Sequence, residues 1–381
     1  MTTQLLRGGV VFDGHDVLGW RDVLVVDDRV VAVGAGLEAA GAQVLDCAGA
    51  TVLPGLVDAH VHLAWAGLEP PPTTVEQGLE RARRNAAALL AAGVTTVRDV
   101  GGSLDVLTAL VGSPGPEILH CGEILCAPKG HGTEIPLAVP IARECDGAEA
   151  FDLAVREQLA AGATGIKVTL NGASGEVELT TDELLAVVEA AHAWGARVAA
   201  HASVREAVAL AVSCGVDSIE HGNGLDQRLA QAMRDRGIAL VPTVAIFEEI
   251  RTQLAGDATF LPEDQLASHR CAAEQRITEH GPALAAARAA GVLVALGTDR
   301  VPGGGVVAVV EELEALVRQG FSTTEALRAA TSAGATVLGL DDRGALAPGL
   351  RADLVVVDGD VTADLEALRS PRLVLQGGRA V

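Results

Sequence analysis

Short apolar runs alternate with longer stretches rich in Ala, Leu and Glu through the middle of this 381-residue chain. The apolar runs predict buried strands, and the stretches between them, many of which end in Gly, predict helices with glycine C-caps. Eight strands that alternate with helices over ~290 residues are typical of a (β/α)8 TIM barrel and therefore predict an α/β fold. The strands are expected at about 52–59, 94–100, 116–126, 164–170, 197–202, 216–221, 238–244 and 292–298.

The two ends of the chain differ from its middle. Both the start, with QLLRGGVVFDG, and the end, with ADLVVVDGD and RLVLQGGRAV, alternate apolar runs with Gly and Asp turns. This texture predicts antiparallel strands. Because the two ends flank one body, we expect them to combine into one small β-sandwich. The predicted domains are a composite β-sandwich, 1–52 plus 345–381, and a barrel domain, 53–344.

Composition restricts the class of partner. The chain is 49% hydrophobic, which allows a sizeable core, but only 2% aromatic, with no Tyr and a net charge of −22. Few aromatic rings and a strong negative charge disfavour nucleic acids and anionic membranes as partners. No signal peptide or membrane span is predicted, and six scattered cysteines favour reduced thiols and a cytoplasmic location. We therefore expect a small-molecule substrate, and homo-oligomer formation is left open.

Polar residues follow the predicted strands where each strand ends. In a barrel, the C-terminal ends of the strands form one face, and active sites lie there. The stretch VLPGLVDAHVHL places His60 and His62 two residues apart on a strand, so both side chains point to the same side. Alone, such a pair is a weak signal, because two polar residues where a strand meets solvent also explain it. Residues with ligand chemistry nevertheless recur on this face: His60, His62, Lys167, His201, His221 and Asp299.

These residue types suit a site for two divalent metal ions. Imidazole and carboxylate groups bind Zn²⁺ and similar ions, and two ions about 3.5–4 Å apart can bind one hydroxide and polarise a scissile carbonyl. Lys167 needs a separate explanation, because an ammonium group binds no metal. An amine in an apolar strand loses its proton more readily, and a neutral amine can add CO₂ to become a carbamate with two oxygens. For Lys167, the structural alternative is an ion pair with a nearby carboxylate such as Glu176. For Asp299, it is a role as the N-cap of the next helix.

The stretches GLVDAHVHL, GIKVTLNGA, VAAHAS, SIEHGN and ALGTD together resemble the metal-dependent amidohydrolase superfamily. More narrowly, they resemble its branch of prolidase-like and imidazolonepropionase-related hydrolases. The resemblance covers essentially the whole chain, including the β-rich ends. It implies two divalent ions, zinc being the first choice and Mn²⁺, Co²⁺ and Fe²⁺ remaining open. The implied ligands are His60, His62 and Asp299 for one ion, His201 and His221 for the other, and Lys167, carbamylated by CO₂, between them.

The resemblance also implies roles towards the substrate. Asp299 would take a proton from the bridging water and pass it to the leaving nitrogen. His131, in APKGHGTE, matches a Gly-His-Gly stretch whose histidine reaches the substrate in that branch. The alternative for His131 is a loop histidine in solvent.

The sequence departs from the branch at two substrate contacts. Phe247, in LVPTVAIFEEI, stands where the branch often has a Tyr near the substrate. Arg300 begins a glycine-rich loop where the branch often has a His, and its guanidinium could hold a carboxylate or phosphate at the rim. An ion pair with Glu248 or Glu249 is the alternative for Arg300. Both departures spare the predicted metal ligands, so hydrolysis is still expected while dipeptidase activity is in doubt.

The sequence therefore predicts a binuclear metal-dependent amidohydrolase that cleaves a C–N bond in a peptide-like, cyclic amide or carbamate substrate, or a related ester or lactone. A dipeptidase-like or carboxypeptidase-like enzyme falls within this class. One alternative is a mononuclear deaminase of the same superfamily, against which Lys167 argues, because such enzymes usually lack the bridging lysine. The other is a non-catalytic scaffold, which would be expected to lose ligands, whereas all six are present.

Overall fold

The computed structural model describes residues 2–64, 71–133, 137–172, 174–255, 263–299 and 305–381. Its strands are β1 (Thr3–Phe12), β2 (Val17–Val26), β3 (Arg29–Gly34), β4 (Gln43–Asp46), β5 (Ala50–Pro54), β6 (Leu56–Val61), β7 (Val94–Asp99), β8 (Glu117–His120), β9 (Ile124–Cys126), β10 (Ala142–Glu144), β11 (Gly165–Thr169), β12 (Arg197–Ala202), β13 (Ser218–His221), β14 (Ala239–Val241), β15 (Leu354–Asp358), β16 (Pro371–Gln376) and β17 (Arg379–Ala380).

The helices lie mainly between the strands of the middle region. They are α1 (Val75–Ala91), α2 (Leu104–Leu110), α3 (Ala148–Ala160), α4 (Thr181–Ala193), α5 (Arg205–Cys214), α6 (Gln227–Arg236), α7 (Val244–Ala255), α8 (Glu263–Ala290), α9 (Gly305–Arg318), α10 (Thr323–Ala329) and α11 (Ser332–Leu338). A 3₁₀ turn, Leu365–Arg369, precedes β16.

Both ends of the chain contribute to one sheet. Its strand order is β17-β16-β15-β5-β1-β2-β3, and β4 also pairs with β1. Because β15 runs antiparallel to β5, the C-terminal segment pairs directly with a strand from the N-terminal segment. The two ends are therefore joined by backbone hydrogen bonds. Their description as a β-sandwich and the division into 1–52 plus 345–381 and 53–344 stay predictions.

The middle of the chain forms two parallel sheets, β6-β7-β8 and β10-β9-β11-β12-β13-β14. Hydrogen bonds connect these sheets on both sides. On one side, Thr164 N donates to His120 O at 2.8 Å. On the other side, residues 293–299 lie between β14 and β6, and Ala59 N donates to Leu296 O at 2.9 Å. With helices between successive strands, this is a TIM-barrel-like α/β fold.

Three predicted strands differ from the observed ones. The strand expected at 52–59 is divided between β5 in the terminal sheet and β6 in a parallel sheet. The strand expected at 116–126 is wrong, because β8 and β9 are separate strands in different sheets. Gly122 turns the chain between them with φ +69°, a conformation that costs glycine little because it has no Cβ. The strand expected at 292–298 is reduced to a single bridge between Leu240 and Val294.

Local signals in the sequence explain where several helices begin and end. At the start of α4, Thr180 Oγ1 accepts from Glu183 N at 3.3 Å, and Glu183 Oε2 accepts from Thr180 N at 2.8 Å. This reciprocal pair satisfies two backbone donors that the first turn leaves unpaired. Gly215 and Gly237 follow α5 and α6 with φ +77° and +71°. The prediction of glycine C-caps is thus confirmed for these two helices.

None of the helices in the described ranges is long and apolar enough to cross a membrane.

All six cysteines are free thiols, and every one except Cys271 is buried. Burial raises the pKa of the Cys121 thiol to about 12. The Cys121 side chain therefore stays protonated near neutral pH.

Phe12 connects the terminal sheet to the main core. It is the last residue of β1, is fully buried, and shares one apolar cluster with Leu90 of α1 and Val94 of β7. We expect Phe12→Ala to lower the free energy of unfolding by about 3–5 kcal/mol, because it removes a large ring and leaves a cavity. Urea denaturation followed by circular dichroism measures this. Trp20→Ala, at a 59% exposed position on β2, is the control and should change the free energy of unfolding little. Equal losses in the two variants would contradict the role of Phe12 in joining the terminal sheet to the main core.

Candidate functional site

His60 and His62 direct their Nε2 atoms at one point. His60 lies in β6, and His62 directly follows that strand. Their Nε2 atoms lie 3.2 Å and 3.3 Å from the same oxygen, Oδ1 of Asp299. The two rings therefore face one point, as their spacing predicts. Two imidazoles and a carboxylate converge here as ligands of one ion would.

The other ring nitrogens of this pair are held by the protein. His60 Nδ1 lies 2.7 Å from Glu220 Oε2, and His62 Nδ1 lies 2.8 Å from Gly101 O. An acceptor at Nδ1 favours the tautomer with its hydrogen on Nδ1 and the lone pair on Nε2. Each ring thus presents its Nε2 atom towards Asp299.

Glu220 is a fully buried carboxylate beside His60. Its Oε1 accepts from Arg98 Nη2 at 2.9 Å and from Ser218 Oγ at 2.5 Å. Arg98 also donates from Nε to Ala59 O at 2.7 Å, so this arginine is tied to β6 as well. Burial opposes ionisation of Glu220, but Arg98 and His60 overcome that cost and hold the pKa of its carboxyl below its ordinary value. Glu220 therefore carries its negative charge inside the fold.

His201 and His221 form the other half of the cluster, at the ends of the neighbouring strands β12 and β13. Their ring centroids are 4.4 Å apart, and that of His221 lies 5.4 Å from that of His60. One potential ligand atom from each of His60, His221 and Asp299 lies within 4.8 Å of the other two. Burial lowers the pKa values of His201 and His221 well below the ordinary value. Both rings are therefore neutral near pH 7, as metal ligation requires.

Among the described residues of the site, three that are not glycine have left-handed backbone: His221, Thr243 and Asp299, with φ +71°, +48° and +52°. Consecutive residues of a strand normally point to opposite faces. The turn at His221 allows its ring and the Glu220 side chain to approach His60 together. His221 Nδ1 lies 2.7 Å from Thr243 Oγ1, so two of these positions hold each other. Such conformations cost about 1–3 kcal/mol each and concentrate at functional sites.

Asp58 fixes the loop that carries Asp299. Its carboxylate accepts from Thr298 N at 3.0 Å and from Thr298 Oγ1 at 2.7 Å. Asp299 N in turn donates to His60 O at 2.8 Å. Burial raises the pKa of Asp58 to about 6. Asp299 is partly exposed; desolvation would raise the pKa of its carboxyl, but His60 and His62 overcome that effect and hold it well below the usual range.

Lys167 lies in β11 with its side chain buried at 2% exposure. Thr169, two residues later in the same strand, is in register with His201. Because alternate residues of a strand share a face, Lys167 points to the side of the sheet that carries His201. Burial lowers the pKa of its amine, against the pull of nearby carboxylates. Glu176, the alternative partner suggested by the sequence, is exposed.

The predicted substrate residues border this cluster. The His131 ring centroid lies 4.6 Å from that of His201. The Phe247 ring centroid lies 5.6 Å from that of His221. Arg300 lies outside the described residues. The structure therefore brings His131 and Phe247 to the site, and the functional roles of all three stay predictions.

Four charged residues of the site were not assigned from the sequence: Asp58, Arg98, Glu220 and Arg276. A charge inside an apolar strand could have pointed to Arg98, in TTVRDVGG, and to Glu220, in SIEHGN. Arg276 gave no such signal, because it lies in α8 and not at a strand end. Its guanidinium carbon lies 5.5 Å from the centroid of the Phe247 ring.

Comparison with known proteins adds to this geometry. The family described as the amidohydrolase family matches residues 51–381. An uncharacterized protein of Mycobacterium tuberculosis is 32% identical over 344 residues, which cover 87% of this chain and 85% of the relative. Ochratoxinase of Aspergillus niger is 27% identical over 364 residues, which cover 85% of this chain and 73% of the relative.

A solved prolidase complexed with N-methylphosphonate-L-proline superposes with a TM-score of 0.89 at 30% identity. That match covers 100% of this chain and 99% of the prolidase. The similarity thus extends over the whole fold and includes the strand ends that carry the histidine cluster. The chain belongs to the amidohydrolase family, and its likeness is to the prolidase-like branch.

Proposed function

We propose that the protein is a metal-dependent hydrolase that cleaves an amide or related acyl bond at a binuclear centre. The observation that carries this proposal is the convergence of His60 Nε2 and His62 Nε2 on Asp299 Oδ1, at 3.2 Å and 3.3 Å. The family membership supports the reaction class. The substrate would be a small molecule with a peptide-like, cyclic amide, carbamate, ester or lactone bond. A cytoplasmic location is part of the proposal.

The donor set fits divalent ions. Imidazoles whose second nitrogen is occupied and an ionised carboxylate are suitable ligands for Zn²⁺, which we propose as the metal. When bound, such ions would polarise the scissile carbonyl and lower the pKa of water. The residues that would hold the two ions are His60, His62 and Asp299 for one, His201 and His221 for the other, and a carbamylated Lys167 for both.

Lys167 would complete the site by reacting with CO₂. The lone pair of the neutral Nζ forms a bond to the carbon of CO₂, one C=O π pair moves to oxygen, and one N–H proton leaves to solvent. The product is a carbamate with one negative charge and two oxygens. Burial supports this step, because it favours the neutral amine over the ammonium ion.

Asp299 would move the proton during hydrolysis. Its carboxylate would accept a proton from the attacking water and deliver it to the leaving nitrogen as the C–N bond breaks. His131, beside His201, would contact the substrate. Ammonia released from an aminopurine or aminopyrimidine would favour the mononuclear deaminase instead, and protein without metal or turnover would favour the scaffold.

The bridging role of Lys167 is tested by metal content. Protein purified with bicarbonate should hold two divalent ions per chain by elemental analysis, and Lys167→Ala should hold fewer and lose turnover. The chain has two lysines, Lys129 and Lys167, so ¹³C-bicarbonate should give one carbamate resonance that Lys167→Ala removes. Lys129→Ala, in an exposed loop, should keep both the signal and the metal. One ion per active chain, with Lys167→Ala still active, would overturn the bridge.

Replacing Asp299 tests proton transfer. Asp299→Asn should fold but lose activity by about 10²–10⁴-fold, because an amide cannot accept the proton. Steady-state kinetics on metal-loaded protein measures the loss. Asp235→Asn, at an exposed position on α6, is the control and should be unchanged. Activity of Asp299→Asn within a few-fold of the parent protein would remove Asp299 from catalysis.

Replacing Glu220 tests the support behind His60. Glu220→Gln should weaken metal binding by about 10–100-fold, because the amide holds His60 Nδ1 less well. It should also lower the free energy of unfolding by about 3–5 kcal/mol, because the Arg98 charge stays buried without its partner. Chelator competition and urea denaturation measure the two effects. Asp152→Asn, in the exposed pair with Arg156, should change neither, and a Glu220→Gln variant that matches this control would contradict the proposal.

A further inference from the structure

The turn between β14 and α7 reaches the histidine cluster through Thr243. This residue directly precedes α7, is fully buried, and has left-handed backbone with φ +48°. Its Oγ1 lies 2.7 Å from His221 Nδ1. A left-handed conformation is unusual for a β-branched residue and persists only where the surroundings fix it. Other parts of the fold must therefore hold this turn in place.

Glu312, on α9, holds the start of α7. It is fully buried, and its Oε1 accepts from Val244 N at 2.8 Å while its Oε2 accepts from Ala245 N at 2.7 Å. The first N–H groups of a helix have no partner within the helix, and the helix dipole favours a negative group beside them. Glu312 therefore supplies from another helix what an N-cap side chain normally supplies.

Capping by Glu312 leaves the Thr243 hydroxyl available to His221. A threonine before a helix usually has extended backbone, and its hydroxyl accepts from an N–H of the first turn. Thr243 has left-handed backbone instead, and its hydroxyl lies beside the imidazole. Because Glu312 bonds the N–H groups of Val244 and Ala245, the departure of Thr243 from the usual capping geometry leaves neither of them unpaired.

The residue before Thr243 is held from α8. His280 Nε2 donates to Pro242 O at 3.1 Å, and the His280 ring is 1% exposed. Burial lowers the pKa of His280 to about 4, so the ring is neutral near pH 7. The structure thus bonds each of the four residues 242–245 to a side chain from α8, β13 or α9.

We propose that Glu312 is a positioning residue that acts on His221 through the start of α7 and through Thr243. With the turn held, Thr243 Oγ1 accepts from His221 Nδ1–H, and the lone pair of the His221 ring stays on Nε2, where it can bind an ion. This inference rests on the proposed function, because it concerns a residue that would hold one of the two ions. It extends that function to a buried carboxylate on α9.

The Thr243 hydroxyl is tested by two variants. Thr243→Ala should lower the affinity for one of the two Zn²⁺ ions by roughly 10–100-fold in chelator competition, because His221 loses its partner. Thr243→Ser keeps the hydroxyl and should stay within a few-fold of the parent protein. In metal-free protein, ¹⁵N NMR of the ring, assigned with His221→Gln, should show the Nδ1–H tautomer in the parent and Ser proteins and its loss in Thr243→Ala. Equal behaviour of the Ala and Ser variants would overturn the proposal.

A double-mutant cycle tests whether Glu312 acts through Thr243. Glu312→Gln should lower the same Zn²⁺ affinity about tenfold, because an amide has one accepting oxygen for two N–H groups. In the Thr243→Ala background it should cause little further loss of affinity, since both changes act through one hydrogen bond, although the urea midpoint should fall in both backgrounds. Glu312→Asp, which keeps the charge on a shorter side chain, is measured in the same cycle and serves if Glu312→Gln does not fold.

The control for this cycle is Glu314→Gln, on the same helix but facing Arg369, and it should leave metal affinity and tautomer unchanged. Affinity losses that add in full in the cycle would show a general structural role for Glu312 and overturn the proposal.

Two results separate this inference from the proposed function. A parent protein that binds fewer than two ions would contradict the binuclear centre, and the tautomer of His221 in metal-free Glu312→Gln or Glu312→Asp would still test the role of Glu312. If the parent protein binds two ions, and the Glu312 variants keep both the affinity and the tautomer of the parent, the centre stands and the role of Glu312 is wrong.

Discussion

The contact between Glu220 and His60 is the interaction on which the candidate site depends. A buried carboxylate is costly unless its charge and lone pairs are matched, and here Arg98, Ser218 and His60 match them. The same contact sets the tautomer of His60 and so directs its Nε2 at Asp299. The carbonyl oxygen of His60 also accepts a hydrogen bond from the backbone N–H of Asp299, so His60 helps to position a second predicted ligand.

The fold supplies what this contact needs by bringing distant parts of the chain together. His60, Arg98 and Glu220 belong to β6, β7 and β13, which lie in two different parallel sheets. The stretch 293–299 lies between those sheets and delivers Asp299 beside His60. Backbone strain completes the arrangement, because left-handed conformations at His221, Thr243 and Asp299 aim side chains that regular strands would turn away. Packing of the surrounding strands must offset that strain.

These features explain which parts of the molecule could be predicted from the sequence. Strand and helix alternation is a local pattern, so β7, β11 and β12 were expected close to where they lie, and the two-residue spacing of His60 and His62 placed both rings on one side. The break at Gly122 and the φ of His221 depend on contacts with other strands and leave no trace in periodicity. Arg276 reaches the site from α8 through the fold alone. The pattern of polar residues at strand ends therefore could not predict it.

Burial disfavours the charged form of every titratable group in the site, but the resulting protonation state differs between the carboxylates and the basic groups. Glu220 and Asp299 stay ionised because adjacent cations and imidazoles outweigh the cost of burial. His201 and Lys167 are driven towards their neutral forms, because in their positions burial dominates. The centre thus combines an ionised Asp299 carboxylate with neutral imidazoles at His201 and His221, which are groups that a site for cations requires. The guanidinium of Arg276 lies apart from this centre, at the border of the site beside Phe247.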